Sequence, residues 1–375
     1  MDQTILRPDD NYAAVDRWIE DTGSGSVLLV SDSSLPFLKI SAYFDALEKR
    51  PGLKLVRFSD FQPNPLYESV VKGVALLRRE KCGAVIAVGG GSAMDVAKCI
   101  RLYAGMEGSG EDGSFLKEKP VILDIPFLAM PTTAGTGSEA TRYAVIYYRE
   151  QKQSVTDISC IPKTILLDES TLFTLPLYQK KSTMLDALCH AIEACWSVNS
   201  TEESRAYSTE AIRAIMENKD GYFANDPGAC CRMLLAANTA GKAINITQTT
   251  AGHAMCYKIT SLFGTAHGHA AALAVRVLFP WMIENTARCT DPRGEDTLKA
   301  ALLNISQALG CSTPEEGAEA FVTLFESLEL PVPSATEEQF ETLKKSVNPV
   351  RLKNHPMALD EETIDFLYHR ILNAV

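Results

Sequence analysis

The stretch Ala84-Val-Ile-Ala-Val-Gly-Gly-Gly-Ser92 decides the fold of the first half of the chain. Five apolar residues suit a buried strand, and the three glycines open a helix-like segment that runs through Arg101. Similar apolar runs alternate with helix-like segments; the runs are residues 27–30, 54–58, 126–130 and 164–168, and the helical segments are residues 40–49 and 65–80. This alternation predicts a parallel sheet with helices on both faces. We therefore expect a Rossmann-like α/β domain over residues 1–177, with a hairpin near Tyr143–Tyr148.

Two glycine-rich loops follow predicted strands in this half. They are Gly89-Gly-Gly-Ser92 and Pro131-Thr-Thr-Ala-Gly-Thr-Gly-Ser-Glu139. Glycines let the backbone approach a pyrophosphate, and the N–H groups that begin a helix attract its negative charge. One such loop is equally well explained as a tight turn, but two at the carboxyl ends of parallel strands form the crevice where nucleotides usually bind. The first half is therefore predicted to bind a dinucleotide.

Asp32 follows the first predicted strand and bears on the choice of dinucleotide. Its carboxylate can accept hydrogen bonds from a ribose hydroxyl and would repel a 2′-phosphate, which favours NADH over NADPH. A turn or helix cap is an equally good interpretation of this aspartate. In the usual fingerprint the acid follows the glycines by about twenty residues, whereas Asp32 precedes them.

The second half of the chain, residues 178–375, is rich in residues that typically begin and end helices. It offers two Asp-Pro helix starts, two capping boxes and two glycines suited to helix ends; these are Asp226-Pro227, Asp291-Pro292, Thr313-Pro-Glu-Glu316, Thr336-Glu-Glu-Gln339, Gly221 and Gly310. We therefore predict an all-helical domain.

One helix of this half carries Asp186 and His190, whose spacing of four places both side chains on one face. His253 and His267 follow, each beside a glycine. One carboxylate and three imidazoles make a plausible four-ligand site for Fe²⁺ or Zn²⁺. An aspartate and a histidine four apart are also common as a solvated pair on an exposed helix, so the two later histidines carry much of the argument.

Composition narrows the class of protein. The formal net charge of −11 argues against nucleic acid or an anionic membrane as a partner. The ten cysteines contain no C-x-x-C pair and are interpreted as core residues of a reducing cytoplasm. Neither a signal peptide nor an apolar run long enough to span a membrane is recognised. We expect a cytoplasmic protein that acts on a small molecule and pairs with copies of itself.

Together these residues resemble the iron-dependent alcohol dehydrogenase family. The matching segments are Gly89-Gly-Gly-Ser-Ala-Met-Asp95, Pro131–Glu139, Asp186-Ala-Leu-Cys-His190-Ala-Ile-Glu193, Gly252-His253 and His267-Gly268. The resemblance implies a metal bound by Asp186, His190, His253 and His267, and NAD(P)-dependent interconversion of an alcohol and an aldehyde or ketone. With the two loops it implies that the cofactor is bound by Gly89, Gly90, Gly91, Ser92, Asp95, Thr132, Thr133, Thr136 and Ser138.

A finer resemblance points to the phosphonoacetaldehyde reductase branch of that family, through Pro176–Met184, Trp196–Ser200 and the segments around His253 and His267. Because a phosphonate needs local cations, Arg142, Lys180, Lys181 and Lys258 are candidate substrate-binding residues. Each lysine could equally be a solvated surface charge.

The chain departs from the family at Tyr257, where many members carry a further histidine four residues after the third ligand. Proton delivery is then assigned to Tyr257, His269 or solvent. A packing tyrosine and a histidine bonded to its neighbour are equally good interpretations of these residues.

Other functions share parts of this pattern. Dehydroquinate-synthase-like lyases and polyol dehydrogenases have the same two-domain plan, but the position of His190 is not normally a ligand in them. A general alcohol dehydrogenase for small uncharged alcohols would need no cationic pocket. A non-catalytic nucleotide-binding protein would have no use for four metal ligands in an already large core.

Overall fold

The computed structural model describes residues 3–374, and of Val350 only the backbone. Residues 1, 2 and 375, at the ends of the predicted domains, lie outside the described residues. The chain forms two compact units: the first runs up to Thr133 and from Gly137 to Leu175, and the second comprises Ala134–Thr136 and everything from Pro176 onward.

The first unit is built on a parallel sheet, as predicted. Its strands and those of a separate hairpin are β1 (Thr4–Leu6), β2 (Ser26–Ser31), β3 (Lys54–Phe58), β4 (Ala84–Gly89), β5 (Phe127–Pro131), β6 (Tyr143–Tyr148), β7 (Gln151–Thr156) and β8 (Thr164–Leu166). The six-stranded sheet has the order β1-β8-β5-β4-β2-β3, and all its pairs are parallel. The strand β1 was not predicted, because Arg7 and Pro8 end its apolar run after two residues, whereas the run in β8 continues to Leu167.

Four helices accompany the sheet: α1 (Ala13–Thr22), α2 (Ser41–Leu47), α3 (Tyr67–Arg79) and α4 (Gly91–Tyr103). Alternate residues of the central strands, such as Val27, Leu29, Ile86 and Val88, lie in one buried apolar cluster. The predicted hairpin pairs β6 with β7, and it turns at Arg149 and Glu150, both with positive φ.

The second unit is helical apart from one short strand pair. Its helices are α5 (Leu177–Trp196), α6 (Glu202–Phe223), α7 (Pro227–Thr247), α8 (Ala251–Phe263), α9 (His267–Glu284), α10 (Glu295–Ala308), α11 (Pro314–Ser327), α12 (Glu337–Ser346), α13 (Pro349–Leu352) and α14 (Glu361–Ile371). The strands β9 (Ser334–Ala335) and β10 (Asn373–Ala374) pair in parallel and correct the all-helical prediction. Every residue of α5 from Met184 to Trp196 is buried, because α6, α7, α9 and α10 surround it. No helix among the described residues is long and apolar enough to cross a membrane.

Most predicted helix ends are confirmed. Asp226 caps α7, and Thr313 and Thr336 form capping boxes at α11 and α12. Gly310 has a φ of +89° just after α10. Two predictions are wrong. Asp291-Pro292 forms a turn and α10 begins at Glu295, while Gly221 lies inside α6 because the chain turns only at Asn225, where φ is +62°.

Candidate functional site

The buried helix α5 carries two of the predicted metal ligands. Asp186 and His190 are one helical turn apart, and the Nε2 atom of His190 lies 3.8 Å from Oδ1 of Asp186. Asp186 is only 2% exposed and His190 only 6% exposed. A solvated helical pair is therefore excluded, and both groups point into the interior of the helical unit.

Two further imidazoles converge on the same carboxylate oxygen. Nε2 of His253, on α8, lies 3.4 Å from Oδ1 of Asp186, and Nε2 of His267, the first residue of α9, lies 4.0 Å from it. The donor atoms of Asp186, His253 and His267 all lie within 4.8 Å of one another, and the His190 ring stacks on that of His253 with centroids 4.5 Å apart.

These separations suit a metal better than direct hydrogen bonding. Two of the three contacts to Asp186, at 3.8 and 4.0 Å, are too long for hydrogen bonds. Ligands about 2.1 Å from a tetrahedral ion lie roughly 3.4 Å from each other. Three nitrogen atoms and one carboxylate oxygen are also a donor set that zinc and ferrous iron accept. The residues therefore fit a divalent ion.

Two glycines allow the helices to come this close. A Cβ atom on Gly268 would lie 2.0 Å from the carbonyl oxygen of Ser182 and 2.5 Å from Cβ of Asp186. On Gly252 it would lie 2.8 Å from Oε1 of Glu193. Larger residues at either place would push α9 or α8 away from α5, and His267 or His253 with it.

A second layer of hydrogen bonds orients His253. Its Nδ1 atom bonds to Oε2 of Glu193, whose Oε1 accepts the Thr250 hydroxyl at 2.6 Å. The Thr250 hydroxyl in turn accepts the indole N–H of Trp196 at 2.8 Å. With its Nδ1–H bonded to Glu193, His253 would bind a metal through Nε2 after losing the proton from that atom, which is the tautomer a metal needs.

Electrostatics in the cluster favour cations. Burial alone would raise the pKa of Asp186, but the three imidazoles hold it below its ordinary value. Burial lowers the pKa of His190, against the opposing effect of Asp186. Burial also acts to lower the pKa of His253, but Glu193 and Asp186 outweigh it and raise the value to about 9. The cluster thus holds two carboxylates, Asp186 and Glu193, whose negative charges attract a cation.

The register of the sheet brings three predicted cofactor segments together. Ser31 pairs with Val88, and Gly89 pairs with Pro131, so β2, β4 and β5 end side by side. Gly89 has a φ of +152°, and a Cβ atom there would lie 2.4 Å from Oδ2 of Asp32. Gly91 and Ser92 begin α4, and Thr133 lies near Gly90 across this edge.

Asp32 caps a turn, which was the alternative to the predicted cofactor role. Its Oδ1 accepts the backbone N–H of Ser34 at 2.9 Å and the Ser34 hydroxyl at 2.5 Å, while Oδ2 accepts the N–H of Gly90 at 3.0 Å. These bonds also hold the first glycine loop against the end of β2. The half-buried carboxylate therefore stays beside that loop.

The second glycine-rich loop is anchored from α4. Oδ1 of Asp95 accepts the Ser138 hydroxyl at 2.9 Å, and Oδ2 accepts the N–H of Val145 at 2.9 Å. The buried Lys98 ammonium donates to the carbonyl oxygens of Ser138 at 2.5 Å and Thr141 at 2.9 Å. Asp95 and Ser138 thus brace the loop that carries Thr132, Thr133 and Thr136.

The predicted catalytic residues occupy different surroundings. The half-buried Tyr257 ring stacks on His267, with centroids 5.6 Å apart and planes at 21°. His269 lies within hydrogen-bonding distance of the Tyr178 hydroxyl, 3.2 Å from Nδ1, and packs against Phe325. Burial lowers the pKa of His269 to about 4. These contacts favour a packing role for His269 and keep Tyr257 beside the cluster.

Two predicted substrate-binding lysines have other partners. Lys180 is 2% exposed, and its ammonium donates to the carbonyl oxygen of Tyr222 at 2.9 Å and to Asn225. Lys181 donates to the carbonyl oxygen of Leu328 at 2.8 Å. Because both ammonium groups tie helix ends together, these contacts speak against phosphonate binding by either lysine. Lys258 is half-buried, and the Arg142 guanidinium lies over the Tyr143 ring at 5.7 Å.

Sequence reasoning assigned no role to Glu193, Thr250, Trp196 or Lys98. The position of Glu193 could have been predicted, because it follows His190 by three residues and therefore lies on the same face of α5 as the predicted ligands. Trp196 and Thr250 meet only through packing, and no local pattern indicates their contact.

Comparison with known proteins agrees with this geometry. Residues 3–169 match the family described as iron-containing alcohol dehydrogenase, and residues 180–372 match the C-terminal part of the Fe-containing alcohol dehydrogenase family. A phosphonoacetaldehyde reductase of Streptomyces viridochromogenes is 31% identical over 79% of this chain and 78% of its own length. An NAD-dependent methanol dehydrogenase of Bacillus methanolicus is 32% identical over 67% of this chain and 66% of its own.

The fold itself recurs in solved structures. The sulfoacetaldehyde reductase of Bifidobacterium kashiwanohense in complex with NAD⁺ superimposes with a TM-score of 0.87 at 24% identity, covering 99% of this chain and 97% of the other. The predicted architecture, a parallel-sheet domain followed by a helical one, is thereby confirmed. The chain belongs to the iron-containing alcohol dehydrogenase family and is an oxidoreductase of the alcohol dehydrogenase and aldehyde reductase type.

Proposed function

We propose that this protein reduces an aldehyde to a primary alcohol with NADH and one divalent metal ion, Fe²⁺ or Zn²⁺. The observation that carries the proposal is the convergence of three imidazole Nε2 atoms on one buried carboxylate oxygen, at 3.4, 3.8 and 4.0 Å. We assign residues 1–177 to the dinucleotide and residues 178–375 to the metal and substrate. The free cysteines among the described residues support a reducing compartment, the cytoplasm.

In this proposal Asp186, His190, His253 and His267 hold the metal. When bound, the ion supplies Lewis acidity toward a carbonyl oxygen and NADH supplies the hydride. Glu193 keeps the Nδ1 proton on His253 and so keeps Nε2 available. Tyr257 is the candidate proton donor to the nascent alcohol, since its ring stacks on His267. His267 is the most open ligand, with 39% of its side chain exposed, so the substrate approaches from its side.

NADH is the cofactor best supported by the residues. Asp32 stands beside the first glycine loop, where its charge disfavours a 2′-phosphate. The name of the Bacillus methanolicus relative, an NAD-dependent methanol dehydrogenase, points the same way.

Phosphonoacetaldehyde is the proposed substrate and 2-hydroxyethylphosphonate the product. The support is the sequence resemblance together with the 31% identity to the Streptomyces phosphonoacetaldehyde reductase. Of the four cations predicted from the sequence to bind the phosphonate, Lys258 and Arg142 remain candidates, because Lys180 and Lys181 are bonded to helix ends.

The proposal is tested by metal analysis paired with an NADH absorbance assay. Wild-type protein should bind about one divalent ion per chain and reduce phosphonoacetaldehyde with a kcat/KM at least about tenfold above that for propionaldehyde. His267→Ala should lose metal and activity together, whereas the exposed His369→Ala should keep both. Full metal occupancy and activity in His267→Ala would refute the metal assignment. Equal efficiency with both aldehydes would refute the phosphonate assignment and leave a general alcohol dehydrogenase.

A further inference from the structure

Arg351, on the short helix α13, packs against Tyr257 beside the metal-binding cluster. Its Cζ atom lies 4.9 Å from the centroid of the Tyr257 ring, and that ring is stacked on His267 with centroids 5.6 Å apart. Tyr257 therefore contacts both the guanidinium and His267, the most exposed ligand.

This guanidinium has no acidic partner among residues 3–374. Two other arginines of the helical unit, by contrast, are paired with carboxylates: Arg293 with Asp291 at 2.6 Å and Arg288 with Asp360 at 3.0 Å. A guanidinium that lies over an aromatic face keeps its N–H donors in its own plane, pointing away from the ring. Arg351 thus offers a charged set of parallel N–H donors to which no side chain among residues 3–374 is bonded.

The charge balance of the cluster leaves a need for such a group. Asp186 and Glu193 place two buried carboxylates in the cluster, each in contact with His253. Two carboxylates cancel the two charges of a divalent ion, so the filled cluster has little positive charge to offer an anion. The whole chain is also acidic, with a net charge of −11. An anionic substrate therefore needs a separate cation nearby.

We propose that Arg351, stacked on Tyr257, binds the phosphonate of the substrate and makes the enzyme selective for anionic aldehydes. The inference rests on the proposed function and names the residue that recognises the charged end. Arg351 binds the phosphonate oxygens with two parallel N–H···O bonds, the geometry that guanidinium and tetrahedral oxyanions share.

In phosphonoacetaldehyde the phosphorus is only two bonds from the carbonyl carbon, so a cation that binds the phosphonate must lie near the metal ligands. Tyr257 supplies the flat surface that holds Arg351 beside His267. The position where many family members have a histidine therefore serves here as a platform.

The experiment compares Arg351→Gln and Arg351→Lys with wild type on two aldehydes. Arg351→Gln should lower kcat/KM for phosphonoacetaldehyde by about 30- to 1000-fold, while propionaldehyde changes by less than about threefold. Arg351→Lys keeps the positive charge but cannot form two parallel N–H···O bonds, so its kcat/KM for phosphonoacetaldehyde should fall by only about 3- to 30-fold. Binding of 2-hydroxyethylphosphonate to the metal-loaded protein, measured by calorimetry, should weaken in the same order with metal content unchanged.

A matched control is available in Arg370, which also lies over an aromatic ring, with Cζ 5.6 Å from the centroid of Phe366, but is exposed on α14. Arg370→Gln should leave both aldehydes unaffected. The KM for NADH should be unchanged in Arg351→Gln; a rise in that value would show that the guanidinium binds a cofactor phosphate and would overturn the proposal.

Other outcomes separate this inference from the proposed function. If wild type prefers phosphonoacetaldehyde and Arg351→Gln keeps the preference, the inference fails and the function stands. An equal loss on both aldehydes would mean that Arg351 only supports Tyr257, and would also overturn it. If wild type prefers sulfoacetaldehyde or succinic semialdehyde, and Arg351→Gln abolishes that preference, the inference stands while the phosphonate assignment fails. No preference for any anionic aldehyde would refute both.

Discussion

Among single residues, Glu193 orients the proposed metal ligand His253 without being a ligand itself. It is fully buried, it bonds to the Nδ1 atom of His253, and its other oxygen accepts the Thr250 hydroxyl. A carboxylate at this place fixes the tautomer of the imidazole and raises its basicity as a ligand. The buried charge of Glu193 therefore serves to orient the His253 side chain.

Replacing Glu193 by glutamine should weaken metal binding by about 10- to 100-fold. The amide is nearly the same size but uncharged, and it presents the imidazole with a donor group as well as an acceptor. Chelator competition gives the metal affinity, and Glu210→Gln on an exposed face of α6 is the control. Unchanged affinity in Glu193→Gln would show that the tautomer of His253 is set elsewhere.

The Asp32 carboxylate should determine cofactor choice. Wild type should prefer NADH, and Asp32→Asn should narrow the NADH:NADPH ratio of kcat/KM by about 10- to 100-fold, because a like-charge clash with the 2′-phosphate is removed. Asparagine retains an acceptor for the N–H of Gly90, so the glycine loop keeps its anchor. Equal use of both cofactors by wild type would place the ribose away from Asp32.

At the scale of elements, the helix caps could be predicted from the sequence, but the close contacts made by the glycines could not. Caps at Asp226, Thr313 and Thr336 were readable because a cap depends on residues three apart in sequence. The close approach of α9 to α5 could not be predicted from the sequence. It depends on Gly268 facing Ser182, a residue far away along the chain.

Gly268→Ala should displace the start of α9. The added Cβ would lie 2.0 Å from a backbone oxygen, so His267 must move away from Asp186. We expect a loss of about 1–3 kcal/mol in the free energy of unfolding together with weaker metal binding. Thermal unfolding and metal content measure both. Gly228→Ala in α7, where a Cβ would meet only side-chain atoms at 3.2 Å or more, should be well tolerated, and equal effects would contradict the explanation.

For the molecule as a whole, buried His355 should limit stability in acid. It is 2% exposed, neither ring nitrogen has a hydrogen-bond partner among the described residues, and it packs edge-on to Trp196. Burial lowers the pKa of His355 from 6.5 to about 4. Between these values the unfolded chain binds the proton and the folded chain does not, so stability falls as pH drops from about 6.5 to 4.

This difference corresponds to about 3.5 kcal/mol at most, from roughly 1.4 kcal/mol for each pKa unit. His355→Leu should therefore lose less stability than wild type between pH 7 and pH 4, although it need not be more stable at pH 7. Denaturant unfolding across that range gives both curves. Parallel curves would show that His355 gains a proton, or a partner, in the folded protein.

The amino-acid sequence by itself determined the α/β and helical halves, the two glycine loops, and the pairing of Asp186 with His190. All of these follow from spacings of a few residues, because strand and helix periodicity and helix capping are local. The sequence also indicated His253 and His267 as ligands, through their residue type beside glycines and through resemblance to a family, but not through any short spacing to Asp186.

Only the tertiary structure decided which distant groups meet. It placed Lys180 on the carbonyl of Tyr222 and Arg351 over Tyr257, and it set Glu193 against His253. Each contact joins residues tens of positions apart on different helices. Whether a lysine or arginine bonds to a helix end, pairs with a carboxylate or packs on an aromatic ring depends on how the helices pack. That packing depends on the whole set of apolar contacts rather than on any local pattern.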